Sequence, residues 1–283
     1  MTPNRRRVRS VSSHSIPRFF KRHLWRRSVL PVIAAGVAAL FIAACGAPQP
    51  DAAAREPGQG PTSGTGYEFR RASPDGIGKF YMGREISHVM GHRGAAWLER
   101  PAREREERTD LLIENLPLQA NSIIADIGAG TGYFSFSIAE RIPDGKVLAV
   151  DIQQEMLDII AARKVSTGVD NVEPVLGDEL DPGLPDSAVD LILIVDAYHE
   201  FSFPREMGDA MARSLKPGGR LILIEYRAED PGVFIKPLHK MSEAQAIAEM
   251  RAAGLAWERT ESFLPQQHFL VFRRPGQSSG VTN

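Results

Sequence analysis

The 283 residues suffice for one α/β domain of about 200 residues with flanking segments. Hydrophobic residues make up 43% and charged residues 24%, the balance of a globular protein with a sizeable core. The net charge of −1 hides an asymmetry: residues 1–28 hold nine of the 34 basic residues and no acid, leaving 25 basic against 35 acidic residues beyond them. A domain that acidic is a poor candidate for a nucleic-acid binder, which needs cations to displace phosphate counterions.

In chain order, the basic stretch "RRRVRSVSSHSIPRFFKRHLWRRS" precedes the uncharged run "VLPVIAAGVAALFIAAC". Basic region, short apolar run and small-residue site are the layout of an export signal over residues 1–44. The run is short for a membrane span of about 20 residues. Its end, "IAAC", resembles the lipobox of bacterial lipoproteins, which implies cleavage before Cys45 and a membrane anchor through a lipid on that residue. An uncleaved signal-anchor helix is the alternative. Cys45 is the only cysteine, so no disulfide forms within the chain. Arg26 and Arg27 also fit twin-arginine export of a folded protein. Residues 45–66, rich in Pro, Gly, Ala and Ser, read as a flexible tether.

Residues 67–102 form an N-terminal extension containing "KFYMGREISHVMGHRGAAWLERP", too apolar for a free linker. It reads as a lid with Tyr81, Met82, Met90 and Trp97 closing over a crevice, or else as a helix packed across the sheet edge. His88 and His92 are four apart, on one face if that stretch is helical, with Glu85 near. The missing cysteines and further ligands argue against a metal there, and no metal site is expected.

From Arg103 the pattern alternates. Helices are expected over Arg103–Leu116, Tyr133–Glu140, Gln153–Lys164, Pro204–Leu215 and Ser242–Ala253. Strands are expected over Ser122–Ile127, Lys146–Val150, Val172–Leu176, Val189–Val195 and Arg220–Tyr226. "LILIV" and "LILIE" are continuous apolar runs, as central strands covered on both faces require. Alternating β and α elements predict a parallel sheet with right-handed crossovers. "WERTESFL" and "HFLVFRR", joined by "PQQ", predict a closing antiparallel hairpin. Residues 275–283 read as a tail.

Glycines at Gly128, Gly130 and Gly132 in "IIADIGAGTGYFS" follow a strand at G-x-G-x-G spacing, not the G-x-G-x-x-G of a dinucleotide site. A carboxylate at Asp126 would repel a pyrophosphate and favour a cationic ligand. Asp151 ends the next strand, where a carboxylate can take both ribose hydroxyls. Asp178 follows the third strand and can accept from an exocyclic amine, although "GDELDP" is also good turn chemistry. Asp196 follows the fourth.

Together, "DIGAGTG", "AVDIQQEML", "LGD", "VDAYHEF" and "LKPGGRLILIEYR" resemble the class I S-adenosylmethionine-dependent methyltransferases, over roughly Arg103 to Arg274. The resemblance implies an α/β, Rossmann-like three-layer sandwich with a seven-stranded, mostly parallel sheet of order 3-2-1-4-5-7-6 and an antiparallel last strand. It implies S-adenosylmethionine as cofactor and a small-molecule methyl acceptor. It places Gly128, Gly130 and Gly132 against the methionine part with Asp126 under it, Asp151 and Ile152 at the ribose, Asp178 at the adenine amine and Asp196 nearby. Candidates for acceptor chemistry are His199, Glu200 and Tyr226, with Tyr198 and Glu225 in the same two loops, and His199 is the first choice as base because its unperturbed pKa lies near working pH. A loop-capping or cofactor-contacting histidine is the alternative. Lys236, His239 and Lys240 suit an anionic acceptor, or form a solvated basic loop. A non-catalytic envelope lipoprotein binding a nucleoside-like ligand is the competing class, and a nicotinamide oxidoreductase the third. Export sits uneasily with a cofactor made in the cytosol. Twin-arginine transport of the loaded enzyme resolves this, as does a cytoplasmic protein starting downstream of a misassigned start codon.

Overall fold

A computed structural model of the chain describes residues 66–276. The export signal, Cys45, the tether up to residue 65 and residues 277–283 of the tail lie outside the described residues.

The central sheet grows from β4 (Ile123–Ile127), β5 (Lys146–Asp151), β6 (Val172–Leu176), β7 (Val189–Val195), β8 (Leu215–Tyr226), β9 (Ala256–Glu261) and β10 (Gln267–Arg273). The seven strands lie in the order β6-β5-β4-β7-β8-β10-β9, which is 3-2-1-4-5-7-6 when this sheet's strands are numbered alone. Strands β4 to β8 pair in parallel, whereas β10 runs antiparallel to both β8 and β9. This is the Rossmann-like methyltransferase fold that the motifs implied.

The apolar runs behave as two-faced strands. In β7, Leu191 and Leu193 pack with Phe134, Phe136, Ile138 and Ile160 on one face. Val189, Ile192 and Ile194 pack with Met207, Met211 and Met250 on the other. The covering helices are α4 (Tyr133–Ala139) and α5 (Gln154–Thr167) on the first side, and α6 (Pro204–Ser214) and α7 (Glu243–Ala252) on the second. Each core side chain buried this way contributes about 1.5–3 kcal/mol. Ser242 caps α7 by accepting from the Gln245 amide at 3.1 Å.

Two elements differ from expectation. The helix expected over Arg103–Leu116 is two, α2 (Arg103–Glu107) and α3 (Thr109–Glu114), because Arg108 turns left-handed at φ 53°. The turn separates two packing tasks. Arg103 and Glu107 of α2 go into the interior as a 2.9 Å ion pair, whereas Leu112 and Ile113 of α3 join the core. The second difference is that β8 begins at Leu215 and runs through "KPGG", ahead of the expected Arg220.

The N-terminal extension is a small antiparallel sheet, β1 (Tyr67–Phe69), β2 (Gly76–Tyr81) and β3 (Arg84–Ser87), followed by a 3-10 turn at His92–Gly94 and α1 (Ala95–Leu98). It is therefore neither a helix across the sheet edge nor a free flap. Arg84 locks it down with a buried, two-pronged ion pair to Glu249 of α7 (2.8 and 2.9 Å) and a 3.1 Å bond to the carbonyl of His199. Among the described residues, no helix is long and apolar enough to cross a membrane.

Candidate active site

The carboxyl ends of β4, β5, β6 and β7 open into a cavity of about 450 Å³. Val89, Met90, Trp97, Leu98, Phe201 and Phe234 give it an apolar wall, while Asp151, Asp178, Asp196, His199, Glu200 and His239 supply polar groups. A pocket of this size and mixture is what a small-molecule site needs, and it lies at the edge where open α/β sheets bind ligands.

The glycine turn forms the floor. Gly128 and Gly130 adopt φ of 75° and 56°. A Cβ on Gly128 would lie 2.7 Å from the Ala197 methyl, and one on Gly130 2.6 Å from Leu98 Cδ1. Gly132 follows as the N-cap of α4. Asp151 fastens this turn: Oδ2 accepts from the Gly130 amide and Oδ1 from the Gln153 amide, both at 2.9 Å. A carboxylate offers about four acceptor sites, so two remain for hydroxyls. Burial raises the Asp151 carboxyl above its ordinary pKa, against the pull of those amides.

The structure separates the predicted acids. Asp126 is buried behind the turn and does not line the cavity. It accepts from Ser135 Oγ at 2.5 Å and so anchors the first turn of α4. Burial pushes its carboxyl up to about 6, with Ser135 and the Arg103 charge opposing. Its expected place directly under the ligand is thus corrected: the side chain is turned to a helix terminus that offers it donors. Asp178 does border the cavity, yet Oδ1 accepts from its own turn, Leu180 N at 2.7 Å and Asp181 N at 2.8 Å. Ile152 stands on the wall, 40% exposed. Asp196 turns left-handed at φ 49° and reaches Gln267 Nε2 at 3.3 Å through Oδ2, while Oδ1 is buried without a hydrogen bond. Burial, then the charges of Glu107 and Glu225, push the Asp196 carboxyl well above the usual range.

Of the four residues expected in a lid, the structure brings two to the cavity. Met90 and Trp97 line the cavity. Glu200 Oε2 accepts from the Met90 amide at 3.0 Å, and Gln153 Nε2 donates to the Met90 carbonyl at 3.0 Å, holding this segment over the site. Tyr81 and Met82 do not take part. Tyr81 packs under the small sheet, 5.4 Å from the Tyr67 ring, and Met82 sits in an exposed hairpin turn. The reason is strand alternation: Tyr81 ends β2 on its buried face, and the chain reverses at the next residue.

Tyr226 borders the cavity, but its hydroxyl donates to Glu107 Oε1 at 2.9 Å, and burial drives its pKa upward. It is a buried donor, not a base. Lys236 borders the cavity and pairs with Asp75 at 2.6 Å, whereas Lys240 donates to the Val233 carbonyl at 2.6 Å. His88 and His92 share no helix face: a 3-10 turn begins at His92, and Glu85 Oε1 is taken by the amides of Ser73 and Gly78.

His199 is buried and held at both ring nitrogens, Nδ1 2.7 Å from Glu225 Oε2 and Nε2 3.0 Å from His239 Nδ1. Burial, then the His199 charge, lower the pKa of His239. Two contributors escaped the sequence reading. Asp75 lies outside every motif. Arg103, at the head of a charged helix, lines the cavity beneath the Tyr133 and Phe134 rings, 4.6 and 5.0 Å from their centroids.

The fold is the Rossmann-like methyltransferase fold, and its crevice lies at the switch point of the sheet. In agreement, residues 124–219 match the family model described as a methyltransferase domain. An uncharacterized methyltransferase of Bacillus subtilis is 29% identical over 146 residues, covering 50% of this chain and 57% of that protein. A demethylmenaquinone methyltransferase of Thermus thermophilus is 30% identical over 133 residues, covering 47% of this chain and 58% of that protein. The chain thus spans a little over half the length of these relatives. Among solved structures, a SAM-dependent methyltransferase from Aquifex aeolicus superposes with a TM-score of 0.61 at 23% identity, covering 65% of this chain and 98% of that one.

Proposed function

We propose that the domain binds S-adenosylmethionine in the cavity and transfers its methyl group to a small, largely apolar acceptor. The observation that carries this reading is Asp151: one carboxylate, at the end of the second sheet strand, holds the glycine turn and keeps two lone-pair sites for a ribose. The Arg103 guanidinium suits the carboxylate of the methionine part.

A sulfonium methyl is already electrophilic. The protein must hold the nucleophile in line about 3 Å away and exclude water, which can supply roughly 7–11 kcal/mol. The segment around Met90 and Trp97, pinned by Glu200 and Gln153, serves that exclusion. A base is needed only when the acceptor must ionise. The apolar wall, together with relatives named demethylmenaquinone methyltransferase and ubiquinone/menaquinone biosynthesis C-methyltransferase, supports an aromatic or quinol-like acceptor. A location at the cell envelope, with a lipid on Cys45, is proposed on the sequence of residues 1–45 alone.

The test is calorimetry with the full chain and S-adenosylhomocysteine, followed by transfer of a labelled methyl group to a panel of phenols and quinols. Binding and labelling are expected. Uptake of a nicotinamide dinucleotide, with no response to either sulfur nucleoside, overturns the proposal.

A further inference from the structure

Three hydrogen-bond acceptors converge on the cavity wall. The Glu225 carboxylate accepts the Nδ1 proton of His199 at 2.7 Å and leaves Nε2 as a lone pair. His239 is the mirror case. Its Nε2 lies 2.9 Å from Asp75 Oδ2, a bent contact that acts through charge and draws the proton to that side. Its Nδ1 is then a lone pair as well, 3.0 Å from His199 Nε2. The third acceptor is Glu200 Oε1, 3.8 Å from His199 Nε2 and 3.6 Å from His239 Nδ1. Two lone pairs and a carboxylate facing one point need an extra proton or a cation between them.

The spacing decides which cation. A triangle with sides of 3.0, 3.6 and 3.8 Å has a centre equidistant from its corners. That distance is about 2 Å, matching metal–nitrogen and metal–oxygen bonds of about 2.0–2.2 Å. Each imidazole also carries a carboxylate on its far nitrogen, Glu225 for one and Asp75 for the other, as metal-binding histidines do.

We propose that His199, Glu200 and His239 bind one divalent first-row transition-metal ion, with coordination positions open to the cavity. The donor set of two imidazoles and one carboxylate selects zinc, iron or cobalt over magnesium and calcium, which take oxygen ligands. All three donors line the cavity, so the open positions face its interior. The consequence for chemistry, which rests on the methyltransferase reading, is that the acceptor carries an oxygen able to coordinate the ion beside the transferred methyl group.

The full chain, stripped with a chelator, is dialysed against Zn²⁺ and separately against Co²⁺, then assayed by elemental analysis and by the visible spectrum of cobalt. About one ion per chain is expected, with a cobalt spectrum showing nitrogen and oxygen ligands. His239→Ala and Glu200→Gln should each weaken uptake at least about 10-fold, since loss of even an outer-shell partner costs roughly 10–100-fold and each change alters one of three ligands. Circular dichroism confirms that the variants fold, and Glu200→Gln, which keeps side-chain shape, covers the case in which His239→Ala does not. Wild-type protein that takes up neither ion, or variants that bind as the wild type does, overturn the proposal. S-adenosylhomocysteine titrated into the stripped wild type separates the two readings. Its binding without metal uptake refutes the metal site alone, and metal uptake without its binding refutes the methyltransferase reading alone.

Discussion

Replacing Asp151 by Asn changes one oxygen to an amide and leaves the shape nearly intact. In the wild type, Oδ1 and Oδ2 each accept one backbone amide, from Gln153 and Gly130, with two further acceptor sites for ribose hydroxyls. After substitution, the single oxygen can serve one amide and one hydroxyl. The new NH₂ faces the other backbone N–H as donor against donor. A hydrogen bond to a charged group contributes about 1.5–3 kcal/mol, so losing one weakens S-adenosylhomocysteine binding by about 10- to 150-fold. The unpaired backbone amide lowers folding stability by a further 1–3 kcal/mol or so. Isothermal titration of the full chain reads the first effect, and a urea unfolding curve the second. A dissociation constant within about threefold of the wild type, with the expected stability loss, would show that Asp151 holds only the loop. The assignment of the ribose to this strand end would then fail.

Gly130→Ala places a methyl 2.6 Å from Leu98 Cδ1 on a backbone at φ 56°. We expect about 1–2 kcal/mol of strain from the left-handed conformation and at least tenfold weaker cofactor binding, while unchanged affinity would count against backbone contact there. Asp126 has its folded pKa raised from 3.8 to about 6, so its burial favours the fold below about pH 4, and that contribution fades as pH rises through 6. Asp126→Asn should therefore flatten the fall in urea stability between about pH 4 and 8 by up to about 3 kcal/mol, whereas parallel profiles for the two proteins would contradict it. Arg84→Ala strands Glu249 as a buried, unpaired charge and should cost about 3–5 kcal/mol in the same assay. A loss below about 1 kcal/mol would mean that the N-terminal sheet is only loosely attached.

The order of elements from Ile123 to Arg273, the parallel sheet and the reversed last strand follow from local signals. Runs such as "LILIV" have one stable arrangement, covered on both faces, and glycines at alternate positions after a strand impose a tight turn there. Asp151, Gly128 and Gly130 could be placed at the cavity from the sequence because a strand end and a turn are each only a few residues long. The same is true of His199 and Glu200, which follow the fourth parallel strand directly.

What the neighbours of those residues do was decided by contacts between distant segments. The expected ligand contact of Asp126 yielded to Ser135, nine positions on, because a buried carboxylate takes the nearest donors. The three acceptors at the cavity wall, and the carboxylates behind them, come from four places in the chain: Asp75, His199 with Glu200, Glu225 and His239. Asp75 joins the others through the docking of the small antiparallel sheet, which is held in part by Arg84, 165 residues from its partner. Periodicity reports which face of an element is apolar. It carries no information on which two polar side chains will share a buried point, since that is set by how whole elements pack.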